Sequence, residues 1–441
     1  MPDHAVSAAP AVQRQLDRLS QLGPGADILG LDRITRLLDR VGNPHRKLPP
    51  VFHVAGTNGK GSTCAFLRAA LEADGKRVHV FTSPHLVRFN ERIRLAGRLI
   101  DDDALAVLLE EVLDRGGDVG ASFFEVTTTA AFLAFARTPA DACVIEVGLG
   151  GRLDATNVVD APAACGIAQL GIDHEAFLGN SLLGIAREKA GIAKSGSPLV
   201  TLAYPEDIAA AVREVAEARG TPLIAGGKDW NFTRTPEHVT LSDRHGTLTV
   251  PAPQLVGGHQ GANLALALTM LRAQSRVRVS EAALKAAATD ARWPARMQRL
   301  APGPLTDRLP AGSSVWLDGG HNRAAAAAVS NALAERAGGA RVHLILGMLS
   351  NKDAPGLLAP FVPLAESLTA IPVPGHDHHA PNMLATLAHD LGIAATSTAP
   401  DVTAAIDGIA AAAHESPPMV CILGSLYLAG EVLRENDECP D

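Results

Sequence analysis

The stretch Ala55-Gly56-Thr57-Asn58-Gly59-Lys60-Gly61-Ser62-Thr63 packs one lysine, three hydroxyls and three glycines into nine residues. Glycines let a chain turn tightly and bring its N–H groups against phosphate oxygens. A helix starting at Ser62 adds unpaired N–H groups and the favourable end of its dipole. Lys60 is then placed to reach outer phosphates, and Ser62 or Thr63 to face a magnesium ion. The spacing departs from the usual GxxxxGK[ST] pattern: the first glycine would fall at Val54, and Gly61 follows Lys60. The bland alternative is a glycine-rich turn with an incidental lysine. A second chemistry-bearing residue is Glu146, at the end of the apolar run Ala142-Cys143-Val144-Ile145. A carboxylate there points into the ligand crevice of an α/β sheet and offers the hard oxygen that magnesium prefers.

The elements that must position these residues are readable from periodicity. Short apolar runs at 51–55, 78–82, 142–147, 164–168 and 222–225 predict buried strands. Helical spacing covers 27–41, 62–73, 101–115, 123–137, 181–190 and 205–218. Strands alternating with helices predict an α/β fold with a parallel sheet. Residues 231–250 change to strand spacing and predict a hairpin, ahead of helices at 261–273 and 281–288. The segment 301–313 is rich in Pro and Gly, which places a domain boundary at residue 298. Beyond it a fresh pattern begins, with strands at 314–318, 342–346, 367–371 and 419–423 and helices at 323–336, 380–389, 400–413 and 425–434. The expectation is a phosphate-loop domain over 1–298, with a helical N-terminal segment, and a smaller Rossmann-like α/β domain over 299–441.

Composition narrows the function. The 441 residues carry 39 Lys and Arg against 47 Asp and Glu, a net charge of −8. That argues against a general nucleic-acid binder, which shows a basic footprint. The five cysteines are widely spaced without a CxxC pair, as expected in a reducing compartment. The N-terminus has no basic region leading into an apolar run, and the longest apolar stretch, near 130–136, is too short for a bilayer. A soluble, cytoplasmic protein with no membrane or nucleic-acid partner is expected. A monomer is expected.

His53-Val54-Ala55-Gly56-Thr57-Asn58-Gly59-Lys60-Gly61-Ser62-Thr63 resembles the phosphate loop of the Mur-type ATP-dependent amide ligases, in the folylpolyglutamate synthase and dihydrofolate synthase branch. Further blocks agree in order: Thr82-Ser83-Pro84-His85-Leu86 with Phe89-Asn90-Glu91-Arg92-Ile93; residues 146–157; Gly171-Ile172-Asp173-His174; residues 185–192; and Asp318-Gly319-Gly320-His321-Asn322. The last block departs from the branch's usual Asp-Gly-Ala-His-Asn-Pro at Gly320 and Arg323. The resemblance implies a Mur-ligase-like central domain and a carboxylate–amine ligase. ATP would phosphorylate a substrate carboxylate to an acyl phosphate, and the α-amine of L-glutamate would displace the phosphate. The substrates implied are dihydropteroate and reduced folates.

The resemblance also implies residue roles. Lys60, Lys189 and His174 would serve the reaction, with Lys189 carbamylated. Ser83, Glu146 and His174 would hold Mg2+. Asn58, Gly59, Lys60, Gly61, Ser62, Thr63, Asn263, Arg296, Asp318 and His321 would contact ATP across two domains. Phe124, Thr127 and Arg92 would border the folate. Each has an ordinary counterpart reading: Lys189 as a solvent-facing helix lysine, His174 as a surface histidine, Phe124 as packing against the sheet. A bifunctional synthase is the favoured reading; a monofunctional synthase, another Mur-type ligase, a phosphotransferase and an ATP-gated interaction protein are the alternatives.

Overall fold

The computed structural model describes residues 5–22, 29–338, 341–412 and 416–441. They form two compact units. One runs to Gln254 and resumes over Gln260–Arg292; the other comprises Leu255–His259 and Trp293–Asp441. The second unit thus begins ahead of the boundary at residue 298 that composition suggests.

The first unit opens with two helices, α1 (Pro10–Leu22) and α2 (Asp32–Arg40). α1 buries Val12, Leu16 and Leu19, a one-face stripe that the sequence reading passed over. The helix expected from residue 27 begins at Asp32, and Asp27 and Ile28 lie outside the described residues. The main body follows as β1 (Val51–Ala55), α3 (Lys60–Ala73), β2 (Val78–Phe81), β3 (Ile93–Leu95), β4 (Arg98–Leu99), α4 (Asp102–Gly116), α5 (Phe123–Arg137), β5 (Ala142–Glu146), β6 (Ala164–Ile167), α6 (Glu175–Leu178), α7 (Leu182–Ala190), β7 (Leu199–Thr201), α8 (Glu206–Ala218) and β8 (Leu223–Ala225).

The sheet order is β4-β3-β2-β5-β1-β6-β7-β8. Strands β2 to β8 in that order pair parallel, and the short β3 and β4 add antiparallel at the edge. Every residue of β1, β2, β5 and β6 is buried, which is why these strands read as unbroken apolar runs rather than alternating ones. The chain leaves β1 toward β2 and leaves β5 in the opposite direction toward β6. Such a switch opens a crevice at the strands' C-terminal ends.

A separate antiparallel sheet follows, β9 (Asn231–Arg234), β10 (His238–Asp243) and β11 (Gly246–Pro251), in the order β11-β10-β9. The expected hairpin therefore carries a third strand. Val239, Leu241, Leu248 and Val250 form its buried face. Helices α9 (His259–Arg272) and α10 (Glu281–Asp290) return to the main sheet. α10 packs on α3, and Met270 of α9 fills the space that Gly166 leaves on β6.

The second unit contains β12 (Gln298–Arg299), β13 (Ser314–Leu317), α11 (Arg323–Ala337), β14 (Val342–Leu346), α12 (Ala354–Leu358), β15 (Ala365–Ala370), α13 (Pro381–Asp390), β16 (Ala395–Thr398), α14 (Val402–Ala411), β17 (Met419–Leu423) and α15 (Leu426–Glu435). Its order is β12-β13-β17-β14-β15-β16, parallel except for β12. The two edge strands escaped the sequence reading because β12 is two residues long and β16, Ala-Thr-Ser-Thr, is polar and mostly exposed. The helix expected at 400–413 ends at Ala411; Ala413 lies outside the described residues.

Candidate active site

The phosphate loop joins β1 to α3. The helix begins at Lys60, two residues earlier than the expected Ser62, behind an N-cap Gly59 in the left-handed region at φ 83°. Two facts make glycine necessary there. A side chain at that φ is strained, and a Cβ at Gly59 would run into the Asn263 amide of α9. Asn263 is buried and its Nδ2 donates to Gln260 Oε1 at 3.0 Å. The structure therefore brings Asn263 against Gly59, far apart in sequence.

The loop is tied to the chain leaving β6. The N–H groups of Thr57 and Asn58 both donate to Gln169 O, at 2.8 and 3.2 Å. Lys60 Nζ curls back onto the loop, donating to Gly56 O at 3.2 Å and Thr57 O at 3.4 Å. Ser62 and Thr63 are buried in the first turn, and Thr63 Oγ1 donates to Gly59 O at 2.8 Å. The Thr63 hydroxyl is therefore committed to the helix backbone in this conformation.

A pocket opens beside the loop. Its walls are Gly56, Thr57 and Lys60; residues 147–150 after β5; Asp173 and His174 after β6; and Lys189 of α7. The three residues expected to serve the chemistry, Lys60, His174 and Lys189, meet here. Lys189 is 4 % exposed. Burial draws its ammonium down to about 7, the Lys60 cation pulls the same way, and Asp173, Asp154 and Glu188 pull back. The ordinary reading of Lys189 as a solvent-facing lysine does not survive this placement. His174 sits in the left-handed region at φ 53° and ψ 41° at the start of α6, exposed to solvent.

Glycines let α7 close on the pocket. A Cβ on Gly151 would stand 2.8 Å from Glu188 O and 2.9 Å from Lys189 Cα. Asp154, quoted only as part of a motif, holds the wall. Its Oδ2 accepts from Leu149 N at 2.8 Å and its Oδ1 from Thr156, whose hydroxyl meets His53 Nε2 at 2.8 Å. Phe124 packs its ring on Gly148 of the same wall. Thr127 and Arg92 lie elsewhere. Thr127 is fully buried with its hydroxyl donating to Phe123 O at 2.8 Å. Arg92 is 2 % exposed, its Nε donates to His85 Nδ1 at 2.9 Å, and its guanidinium lies over Phe89 and Phe123. In this conformation both are buried.

Ser83 and Glu146 leave the C-terminal ends of neighbouring strands, with Phe81 of β2 paired to Ile145 of β5. Glu146 is buried and pairs across the sheet with Val54, two residues before the loop's first glycine. Among the described residues no three His, Cys, Asp or Glu side chains cluster for a metal. The expected set supplies two such side chains and a hydroxyl. Carboxylate and hydroxyl oxygens suit magnesium, which completes its shell with water and phosphate oxygens.

In the second unit, Arg296, Asp318 and His321 converge on Gly319. Arg296 Nη1 lies 2.9 Å from where a Gly319 Cβ would stand, and His321 Nδ1 is 2.9 Å from Gly319 O. Both carboxylate oxygens of Asp318 accept backbone N–H groups, from Met297 at 2.8 Å and Gly320 at 2.7 Å. Arg296 stands between Ala295 and Met297, both at positive φ (52° and 45°). Non-glycine residues held there carry strain of the kind that collects at functional sites.

A family model described as "Dihydrofolate synthetase, C-terminal domain" matches residues 307–435. The dihydrofolate synthase/folylpolyglutamate synthase of Escherichia coli (strain K12) is 37% identical over 353 residues, covering 80% of this chain and 79% of its own length. The chain belongs to the dihydrofolate synthase/folylpolyglutamate synthase family. Family membership is matched by the fold. The E. coli FolC structure in complex with DHPP and ADP superposes with a TM-score of 0.87 at 33% identity, covering 98% of each chain. The Yersinia pestis bifunctional folylpolyglutamate synthase/dihydrofolate synthase complexed with AMPPNP and Mn ion gives a TM-score of 0.84 at 30% identity over 97% of this chain and 99% of that one. The architecture is that of a Mur-type ligase, and the chain is an ATP-dependent ligase of this family. The phosphotransferase and interaction-protein readings fall away.

Proposed function

We propose that this ligase joins L-glutamate both to dihydropteroate and to reduced folates, through an acyl phosphate made from ATP and the acceptor's carboxylate. The observation that carries the reading is the pocket in which Lys60, His174 and Lys189 meet at the end of the phosphate loop. In this reading the loop's N–H groups, Lys60 and Asn58 to Thr63 hold the phosphates, and Asn263 borders the nucleotide beside Gly59. The motif they occupy assigns Arg296, Asp318 and His321 to the nucleotide as well.

Bound Mg2+ would neutralise phosphate charge and polarise the transferring phosphoryl group. Ser83, Glu146 and His174 are the residues proposed to hold it. Lys189 is proposed to carry a carbamate. Only a neutral amine adds to carbon dioxide, losing a proton as the N–C bond forms, and an amine drawn down to about 7 supplies that form at neutral pH. Phe124 on the Gly148 wall is the flat surface proposed for the pterin. Both substrates present the same reacting pair, a carboxylate and the glutamate amine.

The test is to incubate the protein with ATP, magnesium and glutamate, add dihydropteroate or tetrahydrofolate in turn, and weigh the products. One added glutamate on each acceptor is the expected result. An adduct on dihydropteroate alone, or on the folate alone, reduces the reading to a single synthase. No adduct on either overturns the folate assignment.

A further inference from the structure

The phosphate loop and the segment carrying Asp173 and His174 are tied together by one hydroxyl. Thr57 Oγ1 donates to Gly171 O at 2.9 Å and accepts from Gly171 N at 3.1 Å. This reciprocal pair lies past the end of the β1–β6 ladder. The ladder itself closes with Ala168 N to Ala55 O at 2.8 Å, and the loop amides of Thr57 and Asn58 then meet Gln169 O. After Gly171 the chain departs, and the next residues are Ile172, Asp173 and His174. Both Asp173 and His174 line the pocket with Lys60 and Lys189. The Thr57 hydroxyl therefore holds the chain two residues before Asp173.

The geometry points to Thr57 as a positioning residue, whose hydroxyl holds Asp173 and His174 in register with Lys60 and Lys189 across the pocket. It acts through backbone and touches no reacting atom. Loss of the hydroxyl leaves the Gln169 bonds that shape the loop, so nucleotide binding persists. What is lost is the fixed spacing between the phosphate loop and the 171–174 segment. Outer contacts that orient a metal-ligating residue cost roughly 10–100-fold in activity or metal affinity when removed, and His174, three residues after Gly171, is a proposed ligand. The inference rests on the reading of this pocket as the ATP site, which nucleotide binding by the wild-type protein tests by itself.

The experiment compares Thr57→Val, which keeps the shape and drops the hydroxyl, with Thr57→Ser, which keeps the hydroxyl. Four quantities are read: kcat and KM for ATP, the Kd for ADP by calorimetry without magnesium, and amide exchange across residues 169–174. Thr57→Val is expected to lower kcat roughly 10–100-fold, to leave the Kd for ADP within about threefold, and to speed exchange at Gly171. Thr57→Ser is expected to restore both kcat and protection. Unchanged kcat in Thr57→Val, or equal losses in Val and Ser, would overturn the proposal. So would a loss of ADP binding that matches the loss of kcat. A wild-type protein that fails to bind ADP would instead sink the site reading on which it stands.

Discussion

Burial and the neighbouring Lys60 cation draw the Lys189 ammonium down from the ordinary lysine range to about 7. The sign of the pH effect follows. Below pH 7 the amine is held as an ammonium that cannot add carbon dioxide; above it the neutral form, and with it the carbamate, is favoured. Ligase activity in carbon-dioxide-depleted buffer should therefore fall steeply on the acid side of pH 7 and recover on adding bicarbonate. Replacing Lys189 with Ala should lose activity that short carboxylates partly restore, and full activity without rescue would count against the carbamate. Lys60→Ala should remove most turnover because it takes away the charge nearest the phosphates; turnover within a few fold of wild type would refute that role. At this scale Lys60, His174 and Lys189 were legible in the sequence as motif positions expected to serve one reaction, and one pocket is lined by all three. Asp154 and Thr57 were hidden because their roles lie in bonds to Leu149 and Gly171 that only the folded chain makes.

At the scale of elements, the buried strands announced themselves. β1, β5 and β14 span the residues that apolar runs predict, because strands covered on both faces admit few polar residues. The missed strands have two causes, since β16 was hidden by its polarity and the others by their length. β3, β4 and β12 are three residues or fewer, too short for periodicity to register. The start of α3 is set by tertiary approach rather than by helix propensity: Asn263 of α9 closes over Gly59, and only a residue without Cβ fits. Gly59→Ala should therefore combine left-handed strain of about 1–2 kcal/mol with a displaced Asn263 amide. The expected outcome is at least a tenfold weaker Kd for ADP with the melting temperature moved by only a few degrees. A variant that binds ADP as the wild type does would show that the approach of α9 is not needed for the nucleotide.

For the whole molecule, the cost of closing the core falls on histidines. His53 in the central strand is fully buried, its Nε2 bonded to Thr156, and burial pushes it down to about 3, with Lys194 adding to the effect. His79 is buried against Phe135, and His45 is partly so; burial lowers both. A histidine lowered by folding binds more protons in the unfolded chain, so stability declines as pH falls below the unfolded value of about 6.5. For His53 the loss accumulates down to about pH 3, at roughly 1.4 kcal/mol per pH unit. The buried Asp154 works against this at the acid end, because its carboxyl is raised by burial and the strain of holding it charged is relieved as it protonates. With three lowered histidines set against the raised carboxyls of Asp154 and Glu72, the net expectation is a melting temperature that falls as the pH drops from about 6.5 to about 4.5. His53→Gln should flatten that slope by about one proton, with the remaining slope left to His79 and His45. A melting temperature constant across that range would mean that the unfolding step does not expose the β1 core, and that the second unit alone sets the observed transition.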